Sequence, residues 1–319
     1  MTYFLILFID FSNLKSHIKN HAIISQRGGS MKKGLINIHI ITTNNIKGAM
    51  FQENNAFNIY KAATYIKLAR QSGQVLLINN GQLITGSPVS EYYAGLKEYK
   101  RIPLISLMNL LKYNATNITI KDFSLGFNYF NRAHAMSEFP FLSCNILNES
   151  TKEPYFNTPY IIHQYKGIKI GVIALSEAVQ IDHETMIVSN PKESIKTWMR
   201  YMYDNESPDY VIALHNGQIT DLITSEEILC VEGIHLLLTN NKAQGIEHEY
   251  TEIIHLPESS SLLHIKLMFK ERTNSFENKG CSYEFIDVSR YEEDYLLKET
   301  IYYEEKEYLL ARKKKILSD

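Results

Sequence analysis

The stretch Ile78–Pro88, I-N-N-G-Q-L-I-T-G-S-P, sits where an α/β protein would place its chemistry. It follows the apolar run Val75-Leu76-Leu77-Ile78, which reads as a buried strand of a parallel sheet. Open α/β sheets build their sites just past the carboxyl ends of such strands. A metal site there would need carboxylates or imidazoles. Asn79, Asn80 and Gln82 stand there instead, side chains that hydrogen-bond but hold no charge. Other predicted strand ends are similar: Thr42-Thr43-Asn44-Asn45, His215-Asn216-Gly217 and Thr239-Asn240-Asn241. Asp182-His183-Glu184 has the residue types of a metal site, but a solvated loop is the better explanation. His163, His235, His248, His255 and His264 lack the HxH or HxxxH spacing of a ligand pair. No GxSxG, Walker A or GxGxxG motif occurs.

The bulk properties narrow the function classes. A chain of 319 residues with 45% hydrophobic and 21% charged content is globular and long enough for one large domain or two small ones. A net charge of -2 excludes a nucleic-acid binder held by a basic field, and the 21 tyrosines do not alternate with basic residues. Cys144, Cys230 and Cys281 are odd in number, widely spaced and without CxxC, which predicts a reducing, cytoplasmic setting. No apolar run is long enough for a transmembrane helix. Residues 1–30 are expected to be a non-native or disordered extension. Met31-Lys32-Lys33 makes a plausible start, and Arg27-Gly28-Gly29 could be a translated purine-rich ribosome-binding site, although Met1 remains an alternative start.

The elements that must position these residues alternate. Ile36–Ile41 reads as strand, Asn58–Gln71 as helix with Ile59, Ala62, Ala63 and Ile66 on one face, and Val75–Ile78 as strand. That order implies a parallel pair with a crossover helix. Ile102–Leu111 is a predicted helix and Ala115–Ile120 a short strand. Phe139–Ile146 reads as strand and turn. Tyr160–Tyr165 and Lys169–Leu175 form a predicted hairpin through Lys166-Gly167. Pro191–Tyr203 is a helix with Trp198 on its inner face. Tyr210–Leu214, Ile234–Leu238, Leu262–Phe269 and Cys281–Asp287 are strands, with a helix over Asp221–Val231. From Tyr291 the chain is charged and helical. Apolar pairs recur every seven residues: Tyr295-Leu296, Tyr302-Tyr303, Leu309-Leu310, Ile316-Leu317.

Read in order, Ile36 to Asp287 resembles the metallophosphoesterase (calcineurin-like) domain of the 5'-nucleotidase and 2',3'-cyclic-nucleotide phosphodiesterase family. Tyr60–Lys67 looks like the helix after its A-R-x-A-T element, and Ile84–Ser90 like its F-Q-G-T-P-x-S. Phe139–Asn145 is similar to its F-P-V-L-S-A-N, Gly167–Leu175 to its G-V-K-I-G-V-I-G-L, and Asp209–Leu214 to the strand before its S-H-x-G. The resemblance implies a four-layer α/β/β/α sandwich with the site at one end of two sheets. It also implies two divalent metals (Mn, Zn or Fe) roughly 3.5–4 Å apart, holding a hydroxide in line with phosphorus.

The family's ligand motifs fail one by one. Its T-N-D-x-H-G falls on Thr43–Gly48, so Asn45 and Lys47 replace an aspartate and a histidine. The bridging aspartate of its G-D motif becomes Gln82. Its G-N-H-E falls on Thr119–Asp122, which puts Ile120 at the ligand asparagine and Lys121 and Asp122 at the catalytic positions. Its G-H-x-H falls on Asn240–Ala243, so Asn241 and Ala243 replace both histidines. At the S-H-x-G position an ungapped alignment gives Asn216, and a one-residue deletion gives His215. A lysine ammonium ~4 Å from a dication costs about 8 kcal/mol at an effective dielectric of 20, twice the unit-charge figure. No metal is therefore expected.

The expectation is a metallophosphoesterase-like domain over 31–290 and a charged helix over 291–319, without the family's C-terminal nucleotidase domain. Its function would be non-catalytic binding or regulation. Lys47 and Lys121 could bind an anion such as a phosphorylated small molecule, and 291–319 could meet a protein partner. Neither nucleic acid nor membrane is expected as a partner. The alternatives are a phosphoric ester hydrolase with an altered metal site, using His215 and Asp122, and a structural subunit.

Overall fold

Strand β1 (Leu35–Thr43) and strand β2 (Val75–Asn79) run parallel, with helix α1 (Ile59–Ser72) as the crossover between them. The Asn58 side chain caps α1 by accepting from the backbone N–H groups of Tyr60 and Lys61. The computed structural model describes residues 35–50, 57–97, 100–217, 228–229, 231–240, 249–256, 261–273 and 275–318, the last four by backbone alone. The expected extension over 1–30 lies outside these residues, as does most of the helix expected over Asp221–Val231.

Beyond β2 come α2 (Pro88–Ala94), α3 (Pro103–Leu110), β3 (Ala115–Asn117) and α4 (Phe127–Met136). Then follow β4 (Phe141–Leu142), β5 (Ile146–Asn148), β6 (Tyr160–Tyr165), β7 (Ile168–Ser176) and β8 (Met186–Val188). The remaining elements are α5 (Pro191–Glu206), β9 (Tyr210–Asn216), β10 (Leu236–Thr239), β11 (Glu252–His255), β12 (Ser261–Glu271), β13 (Phe276–Asp287), α6 (Tyr295–Glu299) and α7 (Tyr302–Ser318).

A six-stranded sheet has the order β13-β12-β1-β2-β3-β4, and a five-stranded sheet the order β11-β10-β9-β7-β6. Side-chain alternation assigns each strand residue to one of two faces. On the first sheet, Ile41, Val75 and Leu77 pack under α1 to α4, while Ile38, Ile40, Leu76 and Ile78 meet the second sheet. On the second, Val172, Ala174, Ile212, Leu214, Leu236 and Leu238 face inward. Ile173, Leu175, Val211 and Ala213 pack beneath α5. These clusters make the four layers α/β/β/α of a metallophosphoesterase fold.

Three local expectations need correction. The strand expected over Ala115–Ile120 ends at Asn117, and a 3-10 turn over Ile120–Phe123 follows, pinned by the Asp122 carboxylate on Thr119. Trp198 is half-buried at the edge of α5, against Tyr160 and Tyr201, because Ile195, Met199 and Met202 already fill the inner face. The single C-terminal helix divides into α6, which Asp294 caps, and α7.

This C-terminal segment clasps the first helical layer. Asp294 N–H donates to Tyr60 O, Thr64 Oγ1 to Glu292 O, Asn58 Nδ2 to Glu293 and Tyr60 OH to Glu305. Lys67 pairs with Asp294, and Tyr93 OH donates to Glu304 O. Leu297, Ile301 and Tyr308 are buried beneath it.

Candidate functional site

The parallel strands of both sheets end at the same rim of the sandwich. The pleat that sends Ile40, Ile78, Ala115, Ala174, Leu214 and Leu238 inward also sends Thr42, Asn80, Asn117, Ser176, Asn216 and Asn240 inward, two residues further on. The apolar interlayer core is thus closed at this rim by a layer of amides and hydroxyls.

Part of that layer is internally bonded, while Thr42 Oγ1 and the Oδ1 atoms of Asn80, Asn117 and Asn240 are buried without a hydrogen-bond partner among the described residues. Asn216 Nδ2 donates to Oδ1 of Asn45 at 2.9 Å and of Asn44 at 3.3 Å, and Asn240 Nδ2 donates to Asn216 Oδ1 at 2.6 Å. Asn80 Nδ2 donates to the carbonyl of His215, and Asn117 Nδ2 to that of Leu175. On the helix-covered side, Asn79 Nδ2 donates to Thr43 Oγ1, while Asn79 Oδ1 accepts from Thr116 Oγ1 and Gly81 N–H. Asn145 exchanges two hydrogen bonds with the Ser176 backbone. Asn216, and not His215, therefore sits beside Asn45. Alternation along β9 turns the fully buried His215 toward the face of Val211 and Ala213.

Two loops form the rim's floor. Asn45, Lys47 and Gly48 N–H groups donate to the carbonyls of Gly81, Gln82 and Leu83, extending the β1–β2 pairing past the sheet. Asn45, Lys47 and Gln82 all adopt φ between 46° and 59° there. Left-handed backbone at non-glycine residues is uncommon and gathers at functional sites. Lys47 and Gln82 are half-buried and adjacent, since a Cβ on Gly86 would lie 3.3 Å from each.

A third loop is tied to the second through Asp122. Its fully buried carboxylate accepts from Ile84 N–H at 3.0 Å, Thr119 N–H at 3.1 Å and Thr119 Oγ1 at 2.8 Å. Burial pushes this carboxyl up and the donors pull it back. Thr85 Oγ1 donates to Lys121 O, while the Lys121 side chain is exposed and Ile120 is half-buried. Asn241 and Ala243 lie outside the described residues.

Sequence reasoning missed Glu177. It is buried directly after β7, and the Ile120 N–H points at its Oε2 at 3.4 Å. Its signal was visible: a charge one residue past the apolar run I-G-V-I-A-L, with only Ser176 between. Burial pushes its carboxyl up to about 6, against pulls from its own and Ile120's backbone and from Lys121. The unfolded chain ionises first, near 4.5. The stability that a neutral Glu177 contributes is therefore complete below about pH 4.5 and lost as pH rises through about 6. Glu177→Gln, permanently neutral, should melt with the wild type at pH 4.5 and be more stable by about 2 kcal/mol at pH 8. Equal melting temperatures at both pH values would show that Glu177 is well solvated.

Among the described residues the donor set does not fit a dimetal centre. Asn44, Asn45, Asn216 and Asn240 use their amides on one another, and a neutral amide oxygen is a weak ligand for a dication beside a carboxylate or imidazole. Among the described residues no group of three or more His, Cys, Asp or Glu could hold a metal ion. Among them, too, no helix is long and apolar enough to cross a membrane.

Comparison with known proteins agrees with the scaffold. The chain is 31% identical over 179 residues to the 2',3'-cyclic-nucleotide 2'-phosphodiesterase/3'-nucleotidase of Haemophilus influenzae, covering 50% of this chain and 27% of that protein. It is 30% identical over 154 residues to a 5'-nucleotidase of Vibrio cholerae, covering 46% of this chain and 27% of that one. It therefore spans about a quarter of the length of these relatives. The crystal structure of the calcineurin-like phosphoesterase YfkN from Bacillus subtilis superposes with a TM-score of 0.72 at 20% identity, over 87% of this chain and 99% of that one. No family model matches the chain. The structural likeness gives the metallophosphoesterase fold, and over about half its length the chain is similar to curated 5'-nucleotidases and 2',3'-cyclic-nucleotide phosphodiesterases.

Proposed function

We propose that this metallophosphoesterase-fold protein no longer builds a dimetal centre and acts as a non-catalytic binding or regulatory protein. The observation that carries this reading is the chain of amides in which Asn240 donates to Asn216 and Asn216 to Asn44 and Asn45. In this reading Asn45, Lys47, Gln82, Ile120 and Asn216 hold former ligand positions, with Asn241 and Ala243 completing the set. Lys121 and Asp122 hold the former catalytic positions. Asp122 now serves the backbone of two loops.

Lys47 and the exposed Lys121 give this rim positive charge suited to a phosphorylated small molecule. The names of the relatives suggest a nucleotide as the class. The free thiols of Cys144 and Cys281 support a reducing, cytoplasmic location. A second reading, a divalent-metal-dependent phosphoric ester hydrolase with an altered site, is favoured by the hydrolase names of the relatives and by the buried carboxyls of Asp122 and Glu177 beside Lys121.

One preparation separates the two. The full chain, purified with manganese present, is assayed for bound metal and for hydrolysis of bis-p-nitrophenyl phosphate and 2',3'-cyclic AMP. The proposal expects neither metal nor turnover. It further expects inorganic phosphate to raise the melting temperature of the wild type more than that of Lys47→Ala or Lys121→Ala. Two metals per chain with turnover would replace the proposal with the hydrolase.

A further inference from the structure

The apolar pairs of the C-terminal segment divide between two faces. Leu297, Ile301 and Tyr308 enter the domain, while their neighbours stay outside. Leu296 is 76% exposed, Tyr303 77% and Leu310 52%, seven residues apart. Tyr302 and Leu309 flank them, each nearly half exposed. A helix packed on a globular body ordinarily turns its polar residues outward, so a large apolar row at this spacing is the seam of a helix pair.

The charges around the seam specify what covers it. On α7 the exposed residues one turn from Tyr303 and Leu310 are Lys306, Glu307, Lys313 and Lys314, and Glu299 ends α6 one turn before Tyr303. Laying a second copy antiparallel so that Tyr303 meets the other Leu310 also sets Lys306 against the other Glu307, and Glu299 against the other Lys314. Parallel, in-register pairing would oppose Lys306 to Lys306 and Glu307 to Glu307. The row is thus complementary to itself in one orientation, the condition for an isologous twofold interface. Its present engagements are weak: Lys306 lies over the Tyr302 ring of its own chain, and the exposed Glu307 is 3.7 Å from Lys100.

We infer that the outer face of α7 is a homodimer interface, an antiparallel helix pair with Tyr303 and Leu310 at its centre. The inference is independent of whether the site at the sheet rim holds metal. One helix pair falls short of the ~1,600 Å² of a standard interface, so the dimer forms in the micromolar range.

Sedimentation velocity on the full chain from 1 to 200 μM tests it. The wild type is expected to pass from the 36.9 kDa monomer to twice that mass. Leu310→Lys and Tyr303→Lys should remain monomeric with unchanged melting temperatures, since both side chains are exposed. Lys306→Glu and Glu307→Lys should each weaken association at least tenfold, and the double variant should regain it, because reversing both charges in one chain restores both symmetric pairs. A wild type that stays monomeric at 200 μM overturns the inference, as does a dimer indifferent to Leu310→Lys. A double variant no better than its parents overturns the antiparallel register. Monomeric wild type that floats with anionic vesicles, and loses that on Leu310→Lys, would reassign the face to a lipid surface.

Discussion

Asp122→Ala is expected to destabilise the domain by about 3–4 kcal/mol, lowering the melting temperature by roughly 5–7 °C. The carboxylate supplies acceptors for three donors on two loops: Ile84 N–H, Thr119 N–H and Thr119 Oγ1. All lie within the buried floor of the site. Alanine would leave two backbone N–H groups without an acceptor, at ~1–3 kcal/mol each, whereas the threonine hydroxyl can turn elsewhere. Asp122→Asn keeps one oxygen for Ile84 but turns an NH2 toward the Thr119 N–H, so it should fall between wild type and alanine. Chemical denaturation of the three proteins measures the order. A loss below 1 kcal/mol for alanine would mean that water reaches these amides.

Gly48→Ala should be at least as damaging, by about 3–5 kcal/mol. Gly48 has φ of 75°, and a Cβ there would lie 2.5 Å from Ser90 Cβ and 2.8 Å from Ile84 O. Neither can withdraw freely. Ser90 is held in the capping box of α2 with Ser87, and Ile84 is held through its N–H by Asp122. The substitution thus combines left-handed strain with a clash against backbone. Gly126 is the internal control: its φ is 90°, and a Cβ would meet nothing within 4 Å. With φ of 90° and ψ of 153°, a region left almost entirely to glycine, Gly126→Ala should cost only the conformational part, about 1–3 kcal/mol. Equal losses for the two would remove the clash from the account.

The fold was legible because its segments are long and apolar enough to show period and order. Val75–Ile78 and Ile170–Leu175 could only be buried strands, and the helix over Asn58–Gln71 shows its inner face residue by residue. Short elements escaped. β11 and β8 have few residues to show alternation, and α2 is coded by the Ser87–Ser90 cap and Pro88 rather than by a hydrophobic stripe. At the site, aligned motifs could point to Asn45 and Gln82, but a one-residue choice between His215 and Asn216 needs the phase of the pleat. Counting forward from the inward Ile212 and Leu214 fixes that phase only once the two cores are known. Glu177 escaped for another reason. It belongs to none of the family's ligand motifs, and its burial follows from the packing of a loop that sequence period does not describe.

The position of β1 has a consequence for biosynthesis. β1 and α1 emerge early, yet β1 is flanked by β12, and α1 is clasped by residues 292–305, more than 220 positions later. Translation at roughly 5–20 residues per second leaves the early half waiting about ten to forty seconds for its last partners. During that interval Tyr60, Tyr92 and Tyr93 lack the partners that Glu305, Tyr308 and Glu304 later give them. Closure across so long a span is slow, and emergence of α6 and α7 from the ribosome becomes the step that completes the first-made layer.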